Sequence, residues 1–530
     1  MEEEVLSSDP LLITDAKTCK HWLHEMPLTN VQLAHSQIYH QLNLLNQEKM
    51  AALERLKVVE QLREPVNFLQ QELQKKLIHK PLPLREADGL LWEKILGLIQ
   101  SMGRGYQLCL EAHLDGEADT AEYLPLVTQR CLFYLSRQMV ERFRVYQALP
   151  DDAWRRLHQL YSYAELQGFA TTGVKDSLNK QVKLSTCSAV YVHALLINLA
   201  NPYQMSARQL STLDRWLDKW GVRVDVTREY PPTPALSIIA VDLDQDAGPK
   251  IVKNVFDFRQ PRYLDMERLG GSLRKRIKFL QKGGKAEELK LGPDCVQPEC
   301  QEFLESLYAH WCKAEVTRAS ERRESRTHIK AAFGFSAIYF FMRGHVFKPP
   351  AEKEALSRQE IEDLQIFGHV TSRVEKKQAL EAGFSLEPWT IEDESAMGFC
   401  IARKSEYHAP LSHRQLVGLR PDDSERFLLA VVRWLKFNRD GELQIGVHAL
   451  PGSPQALAAS LVSLSAASRK FVPAFLLPAM PALNEPASLV LPLGWFGPGR
   501  QVEIFDTAKK IVRLERLLDK GSDYERASFS

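Results

Sequence analysis

Three closely spaced arginines in the last third of the chain could bind an anionic ligand. Arg322, Arg323 and Arg326 lie in the segment RRESR at residues 322–326, directly before an apolar, strand-like run. A guanidinium group forms two parallel charge-assisted hydrogen bonds with a phosphate, and the same fork matches the O6/N7 edge of guanine. Arginines four residues apart in a turning segment can therefore hold one compact phosphorylated ligand from two sides. Arg318 offers a second register of the same RxxxR spacing.

A second motif of ligand-binding residue types lies in the segment DESAMG at residues 393–398. Asp393 can accept from the N1–H and N2–H groups of guanine, and Ser395 supplies a hydroxyl that donates or accepts. Gly398 permits a sharp turn or a close approach of the backbone to a ligand. Each motif alone has an ordinary explanation: the arginines could belong to a solvated linker, and DxSxxG could be a simple turn. The order of the two motifs, and the strand-like runs around the second, favour a shared site.

Together the two motifs resemble the ligand-binding signature of PilZ domains, which bind the bacterial second messenger cyclic di-GMP. The resemblance covers residues 319–454, and the later segments Val432-Arg433-Trp434 and Gln444-Ile445-Gly446 are also similar to PilZ strands. It implies a six-stranded barrel with the messenger held between the arginine segment and the DxSxxG turn. Trp434 is interpreted as a core residue and Arg433 as a surface residue at the barrel rim.

The resemblance also assigns ligand contacts by matching position. It implies that Arg322 and Arg326, with Arg323 beside them, grip the phosphates and one guanine, and that Arg318 is an additional candidate. The barrel side of the site would be lined by Asp393, Ser395 and Gly398. One departure from the family pattern is an insertion between the motifs, at about residues 344–383. This insertion could be a lid, a partner site or a surface elaboration.

The elements that must position these motifs fall into a helical part and a β-rich part. Apolar residues recur at three- and four-residue steps over residues 30–163 and again over 175–225, which predicts helices. After residue 326 the pattern changes to short strand-like runs, and Asp440-Gly441 predicts a hairpin turn. The predicted fold class is therefore multidomain α+β: an N-terminal all-α bundle or array, then a small antiparallel PilZ-like β-barrel with a β-rich tail.

We predict four domains from these changes of pattern. They are a helical bundle over residues 1–170, a second helical region with a short strand over 171–312, a barrel over 313–455 and a β-rich extension over 456–530. Residues 329–341 read as one strand-like run. The run at residues 511–518 is compatible with either a short helix or a strand.

Composition excludes several classes of partner. Lys and Arg number 68 against 67 Asp and Glu, a formal net charge of +1, so no overall field attracts a nucleic acid polymer. A basic run at residues 274–278 fits a solvated helix face. The acidic start does not resemble a signal peptide, and the longest apolar runs are too short to span a bilayer. We therefore expect a cytoplasmic protein without membrane insertion.

The eight cysteines are scattered, which predicts buried reduced thiols. The group Cys295, Cys300, His310 and Cys312 lacks the paired spacing of a structural zinc site, so no metal and no cofactor are expected. The sequence also lacks GxSxG, HExxH and Walker motifs, so we expect no enzyme activity.

The predicted function is a cyclic di-GMP receptor that transmits messenger level through its helical module to an unidentified protein partner. One alternative is a scaffold or chaperone-like adaptor whose barrel has lost ligand binding. Another is an RNA-binding protein that uses the basic helix and the barrel.

Overall fold

The computed structural model describes residues 11–78, 80–179, 182–230, 238–252, 258–313, 322–350, 378–403, 411–462, 470–506 and 508–530. The chain divides into two compact units. The first comprises Met1–Lys80 and Leu84–Thr317, and the second Pro81–Pro83 and Arg318–Ser530. We call them the helical unit and the barrel unit. The finer four-domain division made from the sequence stays a prediction.

Ten α-helices make up most of the helical unit. Two begin with reciprocal capping boxes, Asp15 with Thr18 and Ser206 with Gln209, which satisfy backbone N–H groups that a helix start leaves free. The helices are α1 (Ala16–Glu25), α2 (Val31–Gln47), α3 (Ala52–Lys75), α4 (Glu86–Leu114), α5 (Leu124–Arg144), α6 (Ala153–Leu166), α7 (Cys187–Leu199), α8 (Ala207–Trp220), α9 (Glu267–Gln281) and α10 (Glu299–Cys312). The predicted N-terminal helical architecture is confirmed.

The helical unit also contains more β-structure than the single strand expected. A short hairpin pairs β1 (Val174–Lys175) with β2 (Leu184–Ser185). An antiparallel sheet has the order β3-β6-β4-β5, formed by β3 (Asp225–Thr227), β4 (Ile238–Asp242), β5 (Lys250–Val252) and β6 (Pro261–Asp265). Only β4 is a wholly buried apolar run, so it alone carried a sequence signal. Its partners are too short and too polar to show alternation.

Buried charge fixes the packing between α3, α5 and β1. Arg63, which is 1% exposed, donates to Asp176 at 2.8 Å, and Arg130 donates to Glu60 at 2.8 Å and lies 3.6 Å from Asp176. Burial opposes ionisation of Asp176, but the hydrogen bond and charge of Arg63 outweigh it and hold the pKa of this carboxyl below its usual range.

Removing the Asp176 carboxylate should destabilise the helical unit. Asp176→Ala leaves Arg63 as an uncompensated buried charge, so we expect the free energy of unfolding to fall by about 3–5 kcal/mol. Urea denaturation followed by far-ultraviolet circular dichroism measures this change. The matched control is Glu111→Ala, which breaks the exposed Arg104–Glu111 pair and should cost at most about 1 kcal/mol. Equal losses in both variants would contradict the assigned role of Asp176.

The cysteine prediction is wrong at one pair. Cys295 and Cys300 form a disulfide, with their Cα atoms 4.8 Å apart, because the turn before α10 brings the two thiols together. The other six cysteines are free and buried. Among the described residues, no group of His, Cys, Asp and Glu is arranged to hold a metal ion. No described helix is both long enough and apolar enough to cross a membrane.

Six antiparallel strands of the barrel unit close into a first barrel. Their order is β10-β13-β12-β11-β8-β9, and β9 pairs with β10 to complete the ring. A seventh short strand, β7, pairs with the free end of β9. The strands are β7 (Arg323–Glu324), β8 (His328–Phe333), β9 (Glu387–Ser395), β10 (Gly398–Arg403), β11 (Leu416–Pro421), β12 (Leu428–Phe437) and β13 (Leu443–Ala449). The predicted PilZ-like barrel is confirmed.

The apolar run after β8 is a helix where the sequence predicted continuing strand. β8 ends at Phe333, Gly334 adopts a φ of +85°, and α11 (Phe335–Arg343) follows. Ile338 of α11 packs onto β11 at Gly418, where an added Cβ would lie 2.9 Å from Ile338 Cγ2. An apolar run without alternation fits a buried helix as well as a buried strand, which is why the pattern misled.

The β-rich tail forms a second closed barrel of six antiparallel strands, in the order β14-β15-β16-β19-β18-β17. These strands are β14 (Gln455–Leu461), β15 (Val472–Leu477), β16 (Ser488–Pro492), β17 (Gln501–Phe505), β18 (Lys509–Lys520) and β19 (Tyr524–Phe529). Residues 511–518, left open between helix and strand, belong to β18. Closure pairs both edges of the tail sheet, which leaves no strand edge for aggregation.

One buried apolar cluster contains residues of both barrels. Leu416 and Val431 of the first barrel share a buried cluster with Phe475, Val490 and Tyr524 of the second. Polar contacts continue this junction. The backbone N–H of Leu416 donates to Asp523 at 2.9 Å, and Arg414 donates to Asp519 at 2.7 Å. The two barrels are therefore joined by packing as well as by the chain.

The junction should be sensitive to pH through Asp523. Burial raises the pKa of this carboxyl from its ordinary 3.8 to about 6. The folded state therefore binds the Asp523 proton more tightly than the unfolded state does. The stability that Asp523 contributes is fully present below pH 3.8 and is lost as the pH rises through about 6. Asp523→Asn keeps the acceptor for Leu416 and removes the charge.

We expect Asp523→Asn to raise the free energy of unfolding of the barrel unit by about 1–2 kcal/mol near neutral pH. The gain should vanish in acid, where the wild-type carboxyl is already protonated. Thermal unfolding of both proteins across this pH range measures the difference. A gain that does not change with pH would show that charge burial is not its cause.

Candidate functional site

The arginine segment lies beside the DxSxxG motif because β7 continues along β9. Arg323 pairs with Glu394, and Glu324 with Asp393. Two further backbone bonds hold the register: Ser325 N–H donates to the Glu392 carbonyl at 3.0 Å, and Ile391 N–H donates to the Thr327 carbonyl at 2.8 Å. The end of β9 thus has the arginine segment on one side and β10 on the other.

The two motifs are in direct contact through their charged side chains. Arg322 Nη1 donates to Asp393 Oδ1 at 2.6 Å. The Arg322 and Asp393 side chains are 34% and 30% exposed, so solvent or a ligand can reach both. Arg323 and Arg326 are exposed, and their side chains form no hydrogen bond or ion pair within the described ranges. The structure therefore brings Arg322 and Asp393 to one surface, where Arg322 keeps unused guanidinium donors.

Ser395 and Gly398 shape the turn that ends β9 and begins β10. Ser395 Oγ donates to the Gly398 carbonyl at 3.2 Å, and the two residues pair across the hairpin. A Cβ at Gly398 would lie 3.1 Å from the Val447 carbonyl oxygen on the neighbouring strand, closer than side chains normally approach. These two residues therefore have a structural role as well as the predicted ligand role. Their turn fixes the position of Asp393.

Three polar residues form a hydrogen-bonded cluster next to the site, and the sequence analysis assigned a site role to none of them. Gln444 Nε2 donates to both oxygens of Glu392, at 3.1 and 3.0 Å, and Cys400 Sγ donates to Glu392 Oε2 at 3.4 Å. Burial raises the pKa of Cys400 to about 12, so it remains a thiol donor. The register of β9 and β10 shifts at this point. Asp393 and Ile391 pair with consecutive residues of β10, so Glu392 is the extra residue of a β-bulge.

An indole ring lies on the same side of the barrel as this cluster. The register joins Asp393 to Cys400, Cys400 to Gly446 and Gly446 to Trp434 across four adjacent strands. A Cβ at Gly446 would lie 1.8 Å from Trp434 Nε1, so the indole ring covers this glycine. Trp434 is half-buried, so its interpretation as a core residue is wrong in part.

Two parts of the predicted site lie outside the described residues. One is Arg318, the additional arginine of the alternative register. The other is the middle of the predicted insertion, residues 351–377.

Comparison with known families finds matches to three regions of the chain. Residues 17–232 match the model of the "Cyclic-di-GMP receptor FimW, N-terminal domain" and residues 351–456 that of the "middle PilZ domain" of the same receptor. Residues 457–530 match the "FimW C-terminal beta-barrel domain". These matches place the chain in the family of PilZ-domain proteins, and they confirm the resemblance drawn from the two motifs. The middle match contains DxSxxG but begins after the arginine segment.

The chain is also similar to a single curated protein along most of its length. It is 23% identical over 528 residues to the cyclic-di-GMP receptor FimW of Pseudomonas aeruginosa (strain PAO1). The alignment covers 92% of this chain and 86% of the relative. The helical unit and both barrels therefore have counterparts in that receptor.

The contact between Trp434 and Gly446 gives a prediction for this face of the barrel. Gly446→Ala places a methyl group inside the space of the indole, so we expect the barrel unit to lose about 1–3 kcal/mol of stability. Chemical denaturation of the variant and the wild type measures this loss. Gly271→Ala is the control, because its Cβ would meet no atom within 4 Å. A variant as stable as wild type would mean that Trp434 does not cover Gly446.

Proposed function

We propose that this protein is a cyclic di-GMP receptor whose ligand binds across β7 and the DxSxxG turn. The observation that carries the proposal is the contact of the two motifs, with Arg322 only 2.6 Å from Asp393. The pairing of β7 with β9 brings together residues that are distant in sequence and have the chemistry to bind phosphate and guanine. The name of the relative, a cyclic-di-GMP receptor, supports the same ligand.

Each motif residue has a role in this proposal. Arg323 and Arg326 have free guanidinium donors for the phosphates, and Arg322 shares its donors between Asp393 and the ligand. Asp393 accepts from one guanine edge. Ser395 and Gly398 maintain the turn so that Asp393 faces the arginines. Before the ligand binds, the Arg322–Asp393 ion pair compensates both charges.

We further propose that the helical unit carries the signal to a protein partner in the cytoplasm. The arginine segment follows the boundary between the units at residues 317 and 318, so a ligand that orders it acts close in sequence to the helical unit. A polar cavity of about 550 Å³ in that unit offers a place for partner side chains. Asp214, which lines this cavity, accepts hydrogen bonds from Arg137 and His193. The proposed role requires no catalysis and no cofactor.

Loss of one motif arginine should weaken ligand binding without unfolding the barrel. A charged hydrogen bond contributes about 1.5–3 kcal/mol, so Arg326→Ala should reduce cyclic di-GMP affinity roughly ten- to hundredfold. Isothermal titration calorimetry measures the affinity directly. Arg426→Ala is the matched control, because Arg426 is an exposed arginine of the same barrel that belongs to neither motif.

The two proteins should therefore differ sharply, with Arg426→Ala close to wild type. If Arg326→Ala binds as tightly as wild type, the assigned site is wrong. If folded wild-type protein does not bind cyclic di-GMP at all, the receptor function is wrong, and the adaptor with a non-binding barrel becomes the better account.

A further inference from the structure

A crevice of about 410 Å³ lies between the two barrels of the barrel unit. Met397, from the DxSxxG turn itself, forms part of its wall. The crevice adjoins the DxSxxG turn, because Gly398 pairs with His448, which also lines it. Space beside the proposed ligand site is therefore enclosed partly by the C-terminal barrel.

The crevice is lined by apolar side chains and by two pairs of opposite charge, Arg526 with Glu485 and Arg433 with Asp519. Met397 and Leu450 of the first barrel face it together with Leu518 of the second. Arg433 stands on the first barrel and Asp519 on the second. A flat heterocycle with a hydrogen-bonding edge suits such a space, because its faces pack on the apolar side chains while its edge meets the charges.

Asp519 and Arg433 differ in how many hydrogen bonds they already form with neighbouring side chains. Asp519 accepts from Arg414 at 2.7 Å and from the Tyr524 hydroxyl at 2.6 Å, so its carboxylate is held firmly in place. Arg433 Nη2 lies 3.7 Å from Asp519, beyond hydrogen-bond distance, and its side chain is 41% exposed. Within the described part of the chain, the Arg433 side chain donates no hydrogen bond. Its guanidinium fork remains available to a ligand.

We propose that this crevice receives one guanine base of cyclic di-GMP, an inference that rests on the proposed receptor function. The Arg433 fork would donate to the O6 and N7 acceptors, and Asp519 would accept from the N1–H and N2–H donors. Adenine carries an amino donor where guanine has O6, so only its N7 could accept from Arg433 and one of the two hydrogen bonds would be lost. The crevice would thus select guanine over adenine, and the C-terminal barrel would supply part of the ligand site.

The test compares binding of cyclic di-GMP and cyclic di-AMP by calorimetry. Arg433→Ala should reduce the ratio of the two affinities roughly ten- to hundredfold, because one bidentate base contact is lost. Leu518→Trp, which narrows the crevice from the C-terminal barrel, should weaken cyclic di-GMP binding by a similar factor. Arg426→Ala is the matched control: it removes an exposed arginine of the same barrel that does not line the crevice, and it should retain wild-type selectivity.

The outcomes separate this inference from the receptor function. Wild-type affinity and selectivity in both Arg433→Ala and Leu518→Trp, with Arg326→Ala still impaired, would overturn the crevice site and leave the receptor standing. Equal loss of selectivity in Arg426→Ala and Arg433→Ala would also overturn it, because the effect would then not come from the crevice. Absence of binding by wild-type protein would instead contradict the receptor function itself.

Discussion

The proposed site depends on the antiparallel register of β7 and β9. That register sets Glu324 opposite Asp393 and brings Arg322 into an ion pair with the same carboxylate. A shift of one residue would turn each paired side chain to the opposite face of the sheet and separate the motifs. The rest of the first barrel maintains this register. The Ser395–Gly398 turn ends β9 at the right residue, and the Glu392 cluster holds the bulge beside it.

The second constraint is that the two barrels share a buried apolar cluster at their junction. Burial of Phe475 and Tyr524 against residues of the first barrel means that neither barrel exposes this face to water. Loosening the junction would expose apolar surface, which is costly. A ligand bound beside the DxSxxG turn therefore sits on a body formed by both barrels. This arrangement gives the C-terminal barrel a physical role, since it borders the crevice next to the turn.

The features that could be predicted from the sequence are local ones. The strands of the first barrel have alternating or β-branched patterns. Asp440-Gly441 was recognisable as a hairpin turn because glycine readily adopts the positive φ that such turns need, and Gly441 has a positive φ in the structure. The two motifs carry their chemistry in their residue types. Their proximity was inferred from a family resemblance, and the spacing along the chain alone does not imply it.

The features that were missed depend on distant neighbours. Phe335–Arg343 is helical because its apolar side packs on β11, a contact that no local pattern encodes. The Cys295–Cys300 disulfide arises from the fold of a turn. Glu392 gains its role only because the fold brings Gln444 next to it from another strand. Trp434 is half-buried rather than core because its indole ring lies over Gly446, which has no side chain.

The central claim is that residues 322–327 and 391–398 form a single ligand surface. Hydrogen exchange of the full chain, measured with and without cyclic di-GMP, tests it most directly because it reports on both segments at once. The account predicts slower exchange in both segments when the ligand is present. Protection of only one segment, or of neither under conditions where the ligand is bound, would contradict it.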